Sequence, residues 1–149
     1  MNRENRKILV CCGTGCLANN SYDVYTKFLE KLKEINIEVI PQVKATGCNG
    51  LCEKGPVVKI LPDEISYFKV KAKDVDEIIS HTILNGEIID RLLYFDTKDK
   101  KRIVSHKDAN FYKHQHKIAL RNIGEIDPKD IEDYKNREGY KALHKVLFE

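Results

Sequence analysis

Thr46-Gly47-Cys48-Asn49-Gly50-Leu51-Cys52-Glu53-Lys54-Gly55-Pro56 sets two cysteines, with three residues between them, in a glycine-bearing loop. Upstream, Val10-Cys11-Cys12-Gly13-Thr14-Gly15-Cys16 carries a second pair, Cys11 and Cys16, with four residues between them. Each loop follows a strand-like stretch. Four thiolates on two neighbouring loops are the ligand set that an iron–sulfur cluster requires. Glycine lets the backbone bend tightly and bring N–H groups near the sulfurs, where they spread negative charge. Cys11, Cys16, Cys48 and Cys52 are therefore the candidate cofactor- and metal-binding residues, and a [2Fe–2S] cluster the candidate cofactor.

Other chemistry is open at this point. Thiolates also bind zinc, and C-x₃-C is within the permitted spacing, although two-residue spacers are the usual zinc knuckle and neither pair has one. A thiol-redox enzyme would want C-x-x-C at the start of the first helix, and that motif is absent. Cys12 makes the cysteine count odd, at five. Neighbouring side chains on an extended segment point to opposite sides, so Cys12 is expected to pack as a small hydrophobe while Cys11 faces the metal. Lys7, Lys44 and Lys54 lie near the ligands in sequence and are read first as solvated surface lysines. His114 and His116 diverge on a helix and do not form a metal site. There is no nucleophile–base pair, P-loop or dinucleotide fingerprint, so no catalytic residue is assigned.

Composition narrows the class. With 149 residues the chain suffices for one domain and an appendage. A third of the residues are charged, mean hydropathy is −0.47, and no apolar run approaches a membrane span, so no membrane insertion is expected. The first residues enter a strand without a signal-peptide apolar region, and a cytoplasmic location is expected. The net charge of +3 comes from basic residues scattered among acidic ones, which argues against nucleic acid as a partner.

Hydrophobic periodicity orders the elements. Lys7 to Cys11 reads as a buried strand. A helix from about Tyr22 to Ile35 follows, capped by Asn20 or Ser21, with Val24, Tyr25, Phe28, Leu29 and Leu32 on one face. Ile37 to Val43 reads as a strand that Pro41 marks as an edge or a bulge, parallel to the first. Val57 to Leu61 and Ile65 to Val70 form a hairpin around Pro62-Asp63-Glu64. Lys73 to Leu84 is helical and stops at Asn85-Gly86. The order, βαβ then ββα, is thioredoxin-like, with both cysteine loops at one end of the sheet. From Glu87 on the pattern is that of a helical appendage: a charged loop over Phe95 to Arg102, a helix from Asp108 through His114, a helix over Pro128 to Arg137 and a last helix to about Leu147.

Lys-Ile-Leu-Val-Cys-Cys-Gly-Thr-Gly-Cys and Thr-Gly-Cys-Asn-Gly-Leu-Cys-Glu-Lys-Gly-Pro resemble the thioredoxin-like [2Fe–2S] ferredoxin family, which includes the small subunit of NADH dehydrogenase. The chain looks more like the N-terminal part of the flavin-bearing, NADH-binding subunit of NAD(P)-linked, often electron-bifurcating, iron hydrogenases. Phe111-Tyr112-Lys113-His114-Gln115, Leu120 through Pro128, and Gly139-Tyr140-Lys141-Ala142-Leu143 resemble that subunit's connector into its flavin domain. The resemblance implies an α/β fold of the thioredoxin-like [2Fe–2S] ferredoxin type with an α-helical C-terminal extension. It divides the chain into a ferredoxin domain over residues 1–90 and a connector or docking segment over 91–149.

The family pattern makes Cys11, Cys16, Cys48 and Cys52 the ligands. It implies electron transfer through a [2Fe–2S] cluster in an NAD(P)H-linked hydrogenase or NADH dehydrogenase complex, with a flavoprotein (FMN/NADH-binding) domain or subunit as partner. Cys12 departs from the pattern by standing at a glycine-like position, and Ile123 by standing where the connector often has cysteine. The flavin, nicotinamide and [4Fe–4S] sites that the resemblance implies are absent from this sequence. It is then expected to be either a fragment or a stand-alone product that docks onto a separate flavoprotein, with catalysis a property of the complex rather than of this chain. The rival expectation is an adaptor, cluster-free or held by zinc, that docks onto a flavoprotein.

Overall fold

The computed structural model describes residues 6–35 and 40–149. Strand β1 (Lys7–Cys11) is central, paired in parallel with β2 (Gln42–Thr46) and antiparallel with β3 (Val58–Leu61). Strand β4 (Ile65–Tyr67) completes the hairpin with β3, and the sheet runs β2-β1-β3-β4. The sheet is the predicted one: a βαβ crossover, then a hairpin and a helix. Residues 37–39 of the expected strand Ile37 to Val43 lie outside those described, Ile40 and Pro41 are not in a strand, and β2 instead starts at Gln42 and runs on to Thr46. Pro41 immediately precedes β2, which is an edge strand, where a missing N–H breaks no ladder.

Strand alternation assigns side chains to two faces. Ile8, Val10, Val58, Ile60, Ile65 and Tyr67 point to one face and are buried. Against them pack helix α2 (Ser21–Glu34), through Val24, Phe28 and Leu32 at four-residue spacing, and a second helical segment. That segment begins as α3 (Val75–Glu77) and continues over Ile78–Asn85 in π-helical turns. Full burial of each such side chain contributes about 1.5–3 kcal/mol. No side chain caps the start of α2, contrary to expectation; Asn20 reaches its place through a left-handed backbone at φ 61°, and the Ser21 hydroxyl turns toward Cys12. Gly86, at φ 77°, ends the second segment where a Cβ would be strained.

The opposite face, carrying Leu9, Lys59, Ser66 and Phe68, is also covered. The chain after Glu87 returns along the free edge of β4, where Phe68 N–H donates to Leu92 O and Ser66 N–H to Val104 O, both at 2.8 Å. The stretch predicted as a charged loop is a hairpin, β5 (Tyr94–Asp96) and β6 (Lys101–Ile103), whose four-residue turn holds the charges. Asp96 closes that turn by accepting from Lys98 N–H at 2.9 Å.

Helix α4 (Asn110–Lys113) then lays Tyr112 beside Ile103 and Ala109 in a second small core that includes Leu51 of the cysteine loop. The Lys59 ammonium, almost fully buried, pairs with Glu125 at 2.8 Å. Helix α5 (Ile131–Asn136) starts later than Asp127-Pro128 suggests. Asp130 is its N-cap, accepting from Glu132 N–H at 3.0 Å, while Asp127 caps the preceding turn. Asp130 and Asp133 tie α5 to Lys44. Helix α6 (Lys141–Phe148) buries none of its side chains.

Candidate metal centre

Both cysteine loops emerge at the same end of β1 and β2, because the parallel register places Cys11 opposite Thr46. Cys11 ends β1 and Cys16 lies in the single helical turn α1 (Thr14–Leu17); both are buried, in one cluster with Val57 and Phe68. Cys48 is half-buried and Cys52 exposed, their sulfurs 3.5 Å apart. The four cysteines thus stand as two pairs. Among the described residues no three His, Cys, Asp or Glu side chains converge on a single metal position.

The loops interlock so closely that glycine is required where they meet. A Cβ on Gly13 would lie 2.7 Å from Cys48 Cβ, one on Gly15 3.0 Å from Cys52 Cβ, and one on Gly55 2.5 Å from Cys16 Sγ. The first and third are closer than any carbon contact allows without the neighbour moving. Each of these glycines therefore brings the backbone of one loop against a cysteine of the other, or of its own turn. The Gly50 N–H approaches Cys48 Sγ at 3.3 Å, the kind of contact that offsets charge on a thiolate. The donor chemistry and the glycine cradle fit a cluster in which two irons each take two thiolates.

The thiols share protons unequally. Interaction with the Cys16 thiol pulls Cys11 down to about 6, against the opposing effect of burial, while Cys16 itself is pushed up by the same partner. Burial raises Cys48. One sulfur of the inner pair is therefore poised to ionise first, as metal loading of a thiol site demands.

Cys12 stands apart from the other four cysteines. It packs against the main hydrophobic core on the helix side of the sheet, 4.0 Å from the Ser21 hydroxyl, so the two adjacent cysteines do face opposite ways. Of the three nearby lysines, Lys7 is exposed, Lys44 is paired with two aspartates and Lys54 lines a surface groove. His114 and His116 are exposed and apart from the site.

Sequence reasoning passed over the residues that hold the second loop from behind. Asn49 is buried, and its main-chain carbonyl accepts from the Tyr112 hydroxyl. Gly124, at φ 74°, packs on the Asn49 side chain, where a Cβ would overlap it at 2.1 Å. Ile123 lies over Gly47. The signal that could have found them is the aromatic and glycine content of 111–124.

With this geometry in view, the comparisons with known proteins are specific. Residues 2–82 match the thioredoxin-like [2Fe–2S] ferredoxin family. The chain is 38% identical over 77 residues to a 2Fe–2S ferredoxin of Clostridium pasteurianum, covering 76% of that protein and 52% of this one. It is 35% identical over 79 residues to a 2Fe–2S ferredoxin of Aquifex aeolicus, covering 71% of that protein. The solved thioredoxin-like [2Fe–2S] ferredoxin from Aquifex aeolicus superposes with a TM-score of 0.57 at 32% identity, over 60% of this chain and 89% of that one. The covering segment after β4 and its helix lies largely beyond these matches.

Proposed function

Because the chain belongs to the thioredoxin-like [2Fe–2S] ferredoxin family, we propose that Cys11, Cys16, Cys48 and Cys52 hold its [2Fe–2S] cluster, and that it passes electrons within an NAD(P)H-linked hydrogenase or NADH dehydrogenase complex. When bound, the cluster takes up and releases one electron at a time. The protein's own residues fix where that happens. The paired thiolates would hold the irons, and Gly50 N–H would offset charge at Cys48. Phe68, Val57 and Leu51 keep water from the inner side, and Cys52 faces outward.

The observation that carries this reading is the two-and-two pairing of four cysteines across loops that interlock through glycine. Protein purified without oxygen should contain about two iron and two acid-labile sulfide per chain. Stoichiometric zinc without sulfide after reconstitution would instead establish the zinc-held adaptor.

The complex is proposed on two supports. The connector-like residues Phe111 to Gln115 and Leu120 to Pro128 are built into the back of the cysteine loop rather than hanging free. Helix α6 presents Leu143, Val146, Leu147 and Phe148 to solvent, an unpartnered apolar face suited to a flavin-bearing (FMN/NADH-binding) domain or subunit. The cytoplasm is the location in this reading; among the described residues no helix is long and apolar enough to cross a membrane. Val146→Glu with Phe148→Glu should abolish co-purification with such a flavoprotein while leaving iron content unchanged. Unaltered co-purification would remove α6 from the interface.

A further inference from the structure

We infer that the groove beside Cys52 is the electron-exchange face and that it receives an acidic segment of the redox partner protein. This rests on the cluster reading for its electron-transfer part and on charge alone for its binding part.

Two adjoining depressions form the groove. One, of about 620 Å³, is bounded by Cys52, Gly55, Pro56, Lys69 and Lys71; the other, of about 510 Å³, shares both lysines and extends to Lys54, Lys73, Arg91 and Arg102. Six cations thus line two adjoining hollows joined at Lys69 and Lys71, the first of which includes the exposed candidate ligand Cys52. Asp74 is the one acid lining the second depression, and it is consumed by Arg91, at 3.1 Å, and by the main-chain N–H of Lys71, at 2.8 Å. Glu53 and Asp23 border only the first.

Among the described residues Lys54, Lys69, Lys71, Lys73 and Arg102 pair with no carboxylate, whereas Lys27, Lys31, Lys44, Lys107, Lys135 and Lys141 each face an acid. With a net charge of only +3, collecting these cations at one place leaves the rest of the surface near neutral or acidic. At Cys52 itself Lys69 and Lys71 are matched by Asp23 and Glu53, whereas the second depression sets six cations around the single carboxylate of Asp74. A hollow lined mostly by one sign of charge focuses the field and raises the encounter rate of oppositely charged partners.

The position argues for a redox partner rather than a stored small anion. Cys11 and Cys16 are sealed in by Val57 and Phe68, so Cys52 is the most exposed cysteine and the shortest way out for an electron. Phe68 lines both the inner cluster and the groove, and Phe95 at the rim is half exposed, giving an apolar floor for a polypeptide between the charges. One electron crosses here in either direction: the partner protein is oxidised by one electron as this chain is reduced, or the reverse, with no bond made and no proton required.

The test uses the cluster-loaded full chain and its Lys69→Glu/Lys71→Glu variant, checked for unchanged visible absorption and iron content. Stopped-flow oxidation of the dithionite-reduced protein is followed with two one-electron acceptors of opposite charge, iron(III)–EDTA and hexaamminecobalt(III). At low ionic strength the variant should react about tenfold more slowly with the anion and faster with the cation, and the difference should vanish near 0.5 M salt, where the screening length falls to a few ångströms. Equal effects on both acceptors, or none, would overturn the inference.

A second readout is independent of electron transfer. Titration calorimetry with an octa-aspartate peptide should show salt-sensitive binding that the variant loses. Binding of inorganic pyrophosphate but not of the peptide would reassign the groove to a small phosphate-bearing ligand. Binding of neither would leave the groove without an anionic occupant and refute the proposal. Loss of the cluster in the wild-type chain would refute the cluster reading instead, and calorimetry would still decide the groove.

Discussion

The Tyr112 hydroxyl donates to the main-chain carbonyl of Asn49, 63 residues earlier and directly after Cys48. The contact joins the segment that follows the family-matched region to the loop expected to hold half of the cluster. Its environment is tight: His106 and Phe111 stack edge-on against Tyr112 at 5.1 and 5.0 Å between ring centres, and burial pushes the phenol's pKa up, so the donor proton is retained. Tyr112→Phe keeps the ring and removes the donor, leaving a buried carbonyl unsatisfied. Urea unfolding should show a loss of about 1–3 kcal/mol. The decay of cluster absorption in air should quicken in parallel. A variant as stable as wild type in both assays would show that the Asn49 carbonyl finds another donor and that the covering segment does not brace the loop.

Acid sensitivity has a specific origin on the covered face. His106 sits over the sheet with Ser66 Oγ at 3.1 Å from its Nδ1. Burial, helped by the Lys59 charge, holds its imidazole down to about 4. An unfolded chain takes up that proton near pH 6.5. The folded state therefore binds fewer protons between pH 6.5 and 4. Stability is complete above about 6.5 and declines as pH falls toward 4, by up to about 3 kcal/mol. Glu125 steepens the fall lower down: burial raises its carboxyl, but the Lys59 charge and hydrogen bond outweigh burial, so its stabilising contribution is lost as pH drops below the ordinary glutamate range. His106→Gln should flatten stability between pH 6.5 and 4 in chemical-denaturation curves taken at each pH. An unchanged slope would place the titrating group elsewhere.

Two glycines at the loop crossing, Gly13 and Gly55, with Gly47 outside it as a control, separate a built cradle from a merely flexible one. Gly55→Ala sets a methyl 2.5 Å from Cys16 Sγ and Gly13→Ala one 2.7 Å from Cys48 Cβ, whereas at Gly47 the nearest atom is Ile123 Cγ1 at 3.5 Å, an ordinary contact. Gly55→Ala and Gly13→Ala should lower iron content severalfold on reconstitution, and Gly47→Ala should leave it near wild type. If all three reconstitute alike, the glycines serve turn formation only.

The readable parts of the chain are those whose cause is local. Ile8, Val10 and the cysteines after them announce a buried strand ending at a candidate ligand, and Val24, Phe28 and Leu32 announce the helix that covers it. The parallel pairing of β1 and β2 follows from the crossover rule once those are placed. What stayed hidden depends on distant partners. Lys59 and Ser66 alternate with apolar residues as a solvent-facing row would, and only Glu125 and His106, 66 and 40 residues away, make that row an interior. The run Thr97 to Lys100 is polar enough to pass for a loop because it is one, the turn of a hairpin too short to show a period. Lys54, Lys69, Lys71, Lys73, Arg91 and Arg102 look scattered because four separate segments supply them.

The adjacent pair Cys11 and Cys12 gives the most direct test of the ligand assignment. Cys11 is sealed beside Cys16, while Cys12 lies on the helix side against the main core, near Ser21 and partly exposed. For Cys12 to reach the metal, the end of β1 would have to turn over, breaking the bond from Cys12 N–H to Thr46 O at 2.8 Å and that from Cys11 N–H to Val57 O at 2.9 Å. Those two bonds fix the register of both loops. Cys11→Ala should therefore lose or severely weaken the cluster, as should Cys16→Ala, Cys48→Ala and Cys52→Ala, whereas Cys12→Ala removes one packing sulfur. The latter should keep the visible absorption and the electron paramagnetic resonance signal of the reduced protein, with a stability cost of about 1 kcal/mol. Rescue by the neighbouring thiol is distinguishable: a residual, altered resonance in Cys11→Ala that disappears in Cys11→Ala/Cys12→Ala would show Cys12 swinging in after Cys11 is gone. Loss of the cluster in Cys12→Ala alone, with a normal signal in Cys11→Ala, would reverse the assignment and require β1 to end in the opposite orientation.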